Sequence, residues 1–107
     1  MITLLLLGCH IHSGLTVPAG ERFVLGDNPH GSFRVRVQNT SDLPVAVQTT
    51  AAGAVVSETV LGPGAVTRAR FSPSQAAVFV NDSDASAQLS VHVRGDVGLS
   101  MGYTPLP

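Results

Sequence analysis

The sequence predicts an all-β protein, specifically a small antiparallel β-sandwich of seven to eight strands. Three observations support this fold class. Apolar and polar residues alternate in short runs, no segment has a helical period, and clusters of Gly, Pro, Asn, Asp and Ser separate the runs. These clusters recur about every 8–12 residues, the spacing typical of sandwiches and barrels. The length of 107 residues fits one domain.

Two runs give the clearest strands. Residues 32–39 alternate so that one face carries Phe33, Val35 and Val37 and the other carries Arg34, Arg36 and Gln38. Residues 85–94 place Ala87, Leu89, Val91 and Val93 on one face, with Gln88, Ser90, His92 and Arg94 opposite. Both patterns predict half-buried antiparallel strands.

Weaker runs complete the set of strands. They cover residues 21–25, 45–50, 54–60, 66–71 and 76–80, and a last short run has Leu99, Met101 and Tyr103 on one face. Turns are predicted at 17–20, 26–31, 39–44, 61–64, 72–74 and 81–84. The segments that begin at Asn39 and Asn81 also match the Asn-x-Ser glycosylation pattern, and 81–84 is an incomplete calcium loop. Local hydrogen bonding in a turn is the favoured explanation for 81–84.

The phrase FRVRVQNTSDLPVAV at residues 33–47, followed by Gly62-Pro63-Gly64, resembles the strand–turn–strand opening of many bacterial immunoglobulin-like modules. This resemblance implies architecture and not activity. The Cys and Trp that mark antibody domains are missing, which excludes an antibody-type core.

The start of the chain carries a second resemblance. An apolar stretch that ends in Leu6-Leu7-Gly8-Cys9 resembles the lipobox of bacterial lipoproteins, in which the peptide before the Cys is removed and the thiol is acylated. The resemblance implies Cys9 as the lipidation site. In a bacterial lipoprotein the glycosylation pattern at Asn39 and Asn81 carries little meaning. We therefore expect a truncated signal peptide at 1–8, a tether at 9–14, one sandwich domain at 15–104 and a tail at 105–107. The alternative is a cytosolic domain in which the first residues form a buried strand with a free thiol.

Composition excludes several classes of protein. The chain has six Arg, no Lys and seven acidic residues, a net charge of −1, which argues against a nucleic-acid partner. One Cys permits neither an intrachain disulfide nor a Cys-based zinc cluster. Charged residues make up only 12% of the chain, which is far from the composition of a disordered protein.

No enzyme motif is present. The sequence lacks a Gly-x-Ser-x-Gly elbow, and its two glutamates show no pairing. We expect no cofactor and no metal. The alternative is a soluble periplasmic protein that binds a small ligand or a metal through His30, His92 and Met101, although the thiolate of a blue-copper site is missing near these residues.

The arginines form the most informative group. Arg34 and Arg36 share one strand face, Arg68 and Arg70 share another, and Arg94 points outward from a third strand. If the three strands belong to one sheet, their guanidinium groups form a cationic stripe suited to carboxylates or phosphates. The simpler alternative is that arginine keeps a solvent face soluble and discourages aggregation.

Together these features predict a non-catalytic, lipid-anchored protein of the bacterial cell envelope, at the outer membrane or cell surface. Its expected role is binding, adhesion or structural support, with the membrane, an envelope protein or an anionic glycan as partner.

Overall fold

Alternating burial along the central strands divides each strand into a core face and a solvent face. A computed structural model describes residues 10–107. In β3 (Phe33–Asn39) the three apolar side chains are buried while Arg34 and Arg36 are exposed, as the sequence predicts. In β8 (Ala87–Gly95) the four predicted apolar positions are likewise buried.

Two antiparallel sheets form the sandwich, which confirms the predicted fold class, although residues 10–107 form nine strands where seven to eight were expected. One sheet has four strands in the order β1-β8-β3-β6, and the other has five in the order β5-β4-β7-β2-β9. The remaining strands are β1 (His10–Val17), β2 (Glu21–Leu25), β4 (Val45–Ala51), β5 (Ala54–Leu61), β6 (Val66–Phe71), β7 (Gln75–Asn81) and β9 (Met101–Pro105). The described residues form no helix long and apolar enough to cross a membrane.

The strand order differs from that of an immunoglobulin domain. The pairs β1–β8, β2–β7, β3–β6 and β4–β5 form a long hairpin that is rolled across both sheets. This pairing is the arrangement of a jelly roll, with β9 added beside β2. The last strands of an immunoglobulin domain lie side by side in one sheet. Here β7 and β9 lie in the five-stranded sheet, whereas β8, which comes between them in the chain, lies in the four-stranded sheet.

The first strand also differs from the expectation. Residues 10–14, predicted as part of a tether, lie in β1, which pairs with β8 along its whole length. The hydrophobic alternation of Ile11, Leu15 and Val17 explains the strand, since these side chains are partly or fully buried against the core. Cys9 and the lipobox lie outside the described residues.

Aromatic pairs fill the core between the sheets. Phe33 and Phe71 stack with ring centroids 4.8 Å apart, and Phe23 lies parallel to Phe79 at 6.2 Å. Tyr103 meets Phe23 edge-on, and its hydroxyl donates to the Thr16 carbonyl at 2.8 Å. These contacts join β9 and β2 of one sheet to β1 of the other.

Asn39 is the first of two buried asparagines that tie the sheets together. It is fully buried at the end of β3, and its Nδ2 donates to the carbonyls of Leu61 at 2.9 Å and Leu43 at 2.6 Å. Its Oδ1 accepts from the Ser41 amide at 3.0 Å. Because Leu61 ends β5 in the opposite sheet, this side chain bridges the two layers.

Asn81 performs the same task from the other sheet. It ends β7, is fully buried, and donates to the carbonyls of Val17 at 2.9 Å and Ala85 at 2.8 Å. Its Oδ1 accepts from the Ser83 amide at 3.1 Å. Both sequon asparagines are therefore structural turn residues whose amide nitrogens already donate within the fold.

Candidate functional site

Three adjacent strands bring the five predicted arginines to one surface. Arg34 in β3 lies directly across from Arg94 in β8 and from Arg70 in β6. Because β3 is the inner strand of this trio, the three guanidinium-bearing residues form a row across the four-stranded sheet. The arginine face is defined here as the outer surface formed by Arg34, Arg36, Arg68, Arg70 and Arg94, all of which are exposed.

A second row lies two residues further along the strands. Arg36 is opposite Arg68 on one side and His92 on the other, and His92 is opposite His12 of β1. The two imidazole rings lie 5.3 Å apart, centroid to centroid. All four outward positions of this row are therefore occupied by arginine or histidine.

No carboxylate offsets the arginine face. Within residues 10–107, none of its five arginines makes an ion pair or a hydrogen bond. The third row of the same surface carries only uncharged residues: Gly14, Ser90, Gln38 and Val66. Like charges placed directly opposite each other destabilise a sheet, so this arrangement costs folding free energy.

The acidic residues lie elsewhere on the described part of the chain. Four of them lie at the end of the sandwich opposite the arginine rows, in the turn after β3, in the turn after β7 and at the start of β2: Glu21, Asp42, Asp82 and Asp84. Glu58 lies on β5 of the five-stranded sheet, where its carboxylate accepts from Gln48 at 2.8 Å. Asp27 and Asp96 lie in loops beside the strands and not on their outward face.

The guanidinium groups surround a shallow groove of about 500 Å³. The five arginines and His92 line it, together with Val35 and Ala69. A guanidinium presents planar pairs of N–H donors that match the two oxygens of a carboxylate or phosphate. The groove can therefore hold one or more oxyanions through several arginines at once.

His12 and Ser90 form a polar pair beside this groove. His12 Nε2 lies 3.1 Å from Ser90 Oγ. A nucleophilic serine needs a base that a third group orients, usually a carboxylate. The residues described here provide no such carboxylate on this surface, so the pair lacks the third member of a triad.

The predicted alternative metal ligands are not brought together. His92 lies on the outer face of the four-stranded sheet, whereas Met101 lies on β9 at the edge of the other sheet. His30 lies in the loop between β2 and β3, where Nδ1 meets the Gly31 carbonyl at 2.6 Å and Nε2 meets the Gln75 carbonyl at 2.8 Å. Both ring nitrogens of His30 are thus engaged within the protein.

Asp96 organises the loops next to the arginine face. Its two carboxylate oxygens accept from the amides of Gly31 at 2.5 Å and Gly98 at 2.8 Å. The bond from Gly31, followed by that from Gly98, lowers the pKa of Asp96 below its ordinary value because both stabilise the charged form. The carboxylate thus belongs to the loop scaffold beside β3 and β8.

Two features of the site were not predicted from the sequence: the place of His12 on this surface and the absence of acidic residues from it. His12 was assigned to a tether, although the alternation of Ile11, Leu15 and Val17 around it was a strand signal. The absence of acids from the face could not be foreseen, since it depends on which strands become neighbours. No family model matches this chain, and no curated protein is similar to it in sequence.

Proposed function

We propose that this protein is a non-catalytic binding module that takes anionic groups of a ligand on its arginine face. The observation that carries the proposal is the convergence of five exposed, unpaired arginines on one surface of the described chain. The chain has seven acids that could neutralise them, yet within residues 10–107 none pairs with an arginine of this face. An anionic ligand would supply the missing countercharge.

The residue type supports an oxyanion as the bound group. The five residues that define the face are all arginine, and arginine binds carboxylates and phosphates through paired hydrogen bonds. The fold itself carries no functional information, since jelly rolls serve many unrelated roles. The proposal therefore depends on the surface and not on the architecture.

The proposal includes attachment to the bacterial cell envelope through Cys9. Its support is the lipobox pattern Leu6-Leu7-Gly8-Cys9. Growth with a radiolabelled fatty acid should label the wild-type chain but not Cys9→Ser, and cell fractionation should move the variant from the membrane to the soluble fraction. Unlabelled wild-type protein, or a variant that stays with the membrane, would contradict the anchor.

Anion binding has a direct test with soluble polyanions. Heparin and inorganic polyphosphate should bind the full chain at low salt and dissociate as salt is raised. Arg34→Gln/Arg36→Gln should weaken binding by about 100-fold, if each charged hydrogen-bonding partner contributes about 1.4 kcal/mol.

Arg22→Gln controls for net charge because Arg22 lies on the five-stranded sheet, away from the face. Arg22 is half-buried, unlike the arginines of the face, so the folding of this variant is checked by circular dichroism. The single variants Arg34→Gln and Arg22→Gln are compared, because each removes one positive charge. Equal losses for Arg34→Gln and Arg22→Gln would show that only net charge matters and would overturn the proposed site.

A further inference from the structure

The arginine face lies at one end of the four-stranded sheet, the end at which β1 begins. His10, the first residue of β1, is opposite Arg94 in the strand register. Arg94 in turn is opposite Arg34, which completes the row with Arg70. The cationic rows therefore lie beside the point where the chain enters the fold.

The opposite end of the sandwich is acidic. β1 ends at Val17, which receives a hydrogen bond from Asn81, and the turn that follows Asn81 carries Asp82 and Asp84. Glu21 lies level with Asn81 in the neighbouring strand pair. The domain is thus polarised, with arginines near the start of β1 and most acids near its end.

No spacer separates Cys9 from this cationic end. The strand starts at residue 10, so one peptide unit, about 3.8 Å between Cα atoms, joins Cys9 to β1. If Cys9 carries the acyl chains, the first residues of β1 lie at the bilayer surface. The cationic rows are then next to the lipid headgroups, and the acidic end points away from them.

We infer that the arginine face binds the phosphates of anionic lipids in the same bilayer that holds the Cys9 anchor, and so fixes the orientation of the domain on the membrane. This inference rests on the proposed function and names its ligand. The position of the chain entry and the charge of the face favour an anionic bilayer over a soluble polyanion. A basic surface near an anionic membrane gains about 1 kcal/mol per arginine, or about fivefold in affinity.

Vesicle binding by the full chain with Cys9→Ser tests the inference without the acyl anchor. The probes are vesicles of phosphatidylcholine alone and vesicles that also contain phosphatidylglycerol, compared by co-sedimentation at low and high salt. We expect stronger binding to the phosphatidylglycerol vesicles, and this gain should disappear at high salt. The phosphatidylcholine vesicles account for any binding by the apolar segment that precedes Cys9.

Substitutions assign the gain to the face. Arg34→Gln/Arg70→Gln should lower binding to the anionic vesicles by about 30-fold. Arg22→Gln, on the other sheet, should lower it by no more than the small effect of one net charge. Competition with inorganic phosphate should leave vesicle binding largely intact, since a free ion contacts only part of a surface that a bilayer covers.

The outcomes separate this inference from the proposed function. Binding to heparin or polyphosphate with no preference for phosphatidylglycerol vesicles would overturn the membrane inference and leave anion binding standing. A preference that survives Arg34→Gln/Arg70→Gln would also overturn it. Failure to bind every anionic probe would contradict both.

Discussion

Replacing Arg34 with glutamine should make the free protein more stable. Arg34 is the central residue of its row, with Arg70 across from it on one side and Arg94 on the other. Neither neighbour nor Arg34 itself pairs with an acid among the described residues. The substitution removes two like-charge contacts and keeps part of the aliphatic stem of the side chain.

The size of the effect follows from the strand geometry. Guanidinium groups on adjacent strands can spread to about 7 Å, at which two unit charges in water repel by about 0.6 kcal/mol. Two such pairs give about 1.2 kcal/mol, similar in size to the about 0.2–1 kcal/mol by which a single favourable cross-strand pair stabilises a sheet, taken twice. With a urea dependence of about 1 kcal/mol per molar, the unfolding midpoint should rise by about 1 M.

Urea unfolding followed by circular dichroism measures this gain, at low salt and at about 1 M salt, where the Debye length falls to about 3 Å. The advantage of Arg34→Gln should nearly vanish at high salt. Arg22→Gln, which removes the same charge from the other sheet, should show no such salt-dependent gain. Equal or lower stability of Arg34→Gln at low salt would refute the claim that the arginine face is under repulsion.

Three further substitutions test the scaffold around the site. Asn81→Ala should cost about 4 kcal/mol of unfolding free energy, because the five hydrogen bonds of this fully buried side chain, worth up to about 1 kcal/mol each, are lost, and the cost is measurable by urea unfolding. Gly95→Ala should cost about 3 kcal/mol, since Gly95 has φ of 100° and a Cβ there would lie 2.7 Å from the Ser32 carbonyl oxygen; Gly14→Ala, with no atom nearby, is the control. Asp96 has a folded-state pKa below its unfolded value, so its contribution to stability is present above the unfolded pKa and lost as pH falls through the folded one. Asp96→Asn should therefore lower the unfolding midpoint at neutral pH and flatten its decline toward about pH 2; an unchanged acid profile would contradict this role.

Strand positions followed from local pattern, whereas strand neighbours did not. The two-residue alternation in β3 and β8 correctly assigned which side chains are buried, because one face of each strand packs against the core. The pairing of β8 with β1 depends on a contact between residues about 80 positions apart. No local signal encodes this pairing, which is why the jelly-roll order was not predicted. The strand nature of residues 10–14 did have a local signal, the alternation of Ile11, Leu15 and Val17, which the tether interpretation overlooked.

The arginine face was predicted only in part, again because the neighbours of each strand could not be predicted. Alternation placed Arg34 and Arg36 on one strand face and Arg68 and Arg70 on another, but their meeting required β3 and β6 to be neighbours. The alignment of His12 with His92 required β1 to be a strand. Outward direction is a local property of a strand, whereas the density of charge on a sheet is set by its topology.

Asn39 and Asn81 show a pattern whose meaning only the fold reveals. Both begin an Asn-x-Ser-Asp segment, and the sequence indicated turns at both places. Their bridging role depends on the carbonyls of Leu61 and Val17, which end strands of the opposite sheets. A turn residue can be predicted from its own segment, but a bridge needs the partner strand as well.

The charge of the arginine face affects both the stability of the free protein and its binding of anions. Repulsion between Arg34 and its neighbours lowers the stability of the free protein, and the same potential attracts an anion. A ligand that binds only the folded state stabilises it in proportion to its affinity, so an anionic ligand should stabilise the wild-type chain more than Arg34→Gln. The order of stability should therefore reverse: Arg34→Gln should unfold later without ligand, and the wild type later at saturating polyanion. A face that served only solubility would show the first difference without the second.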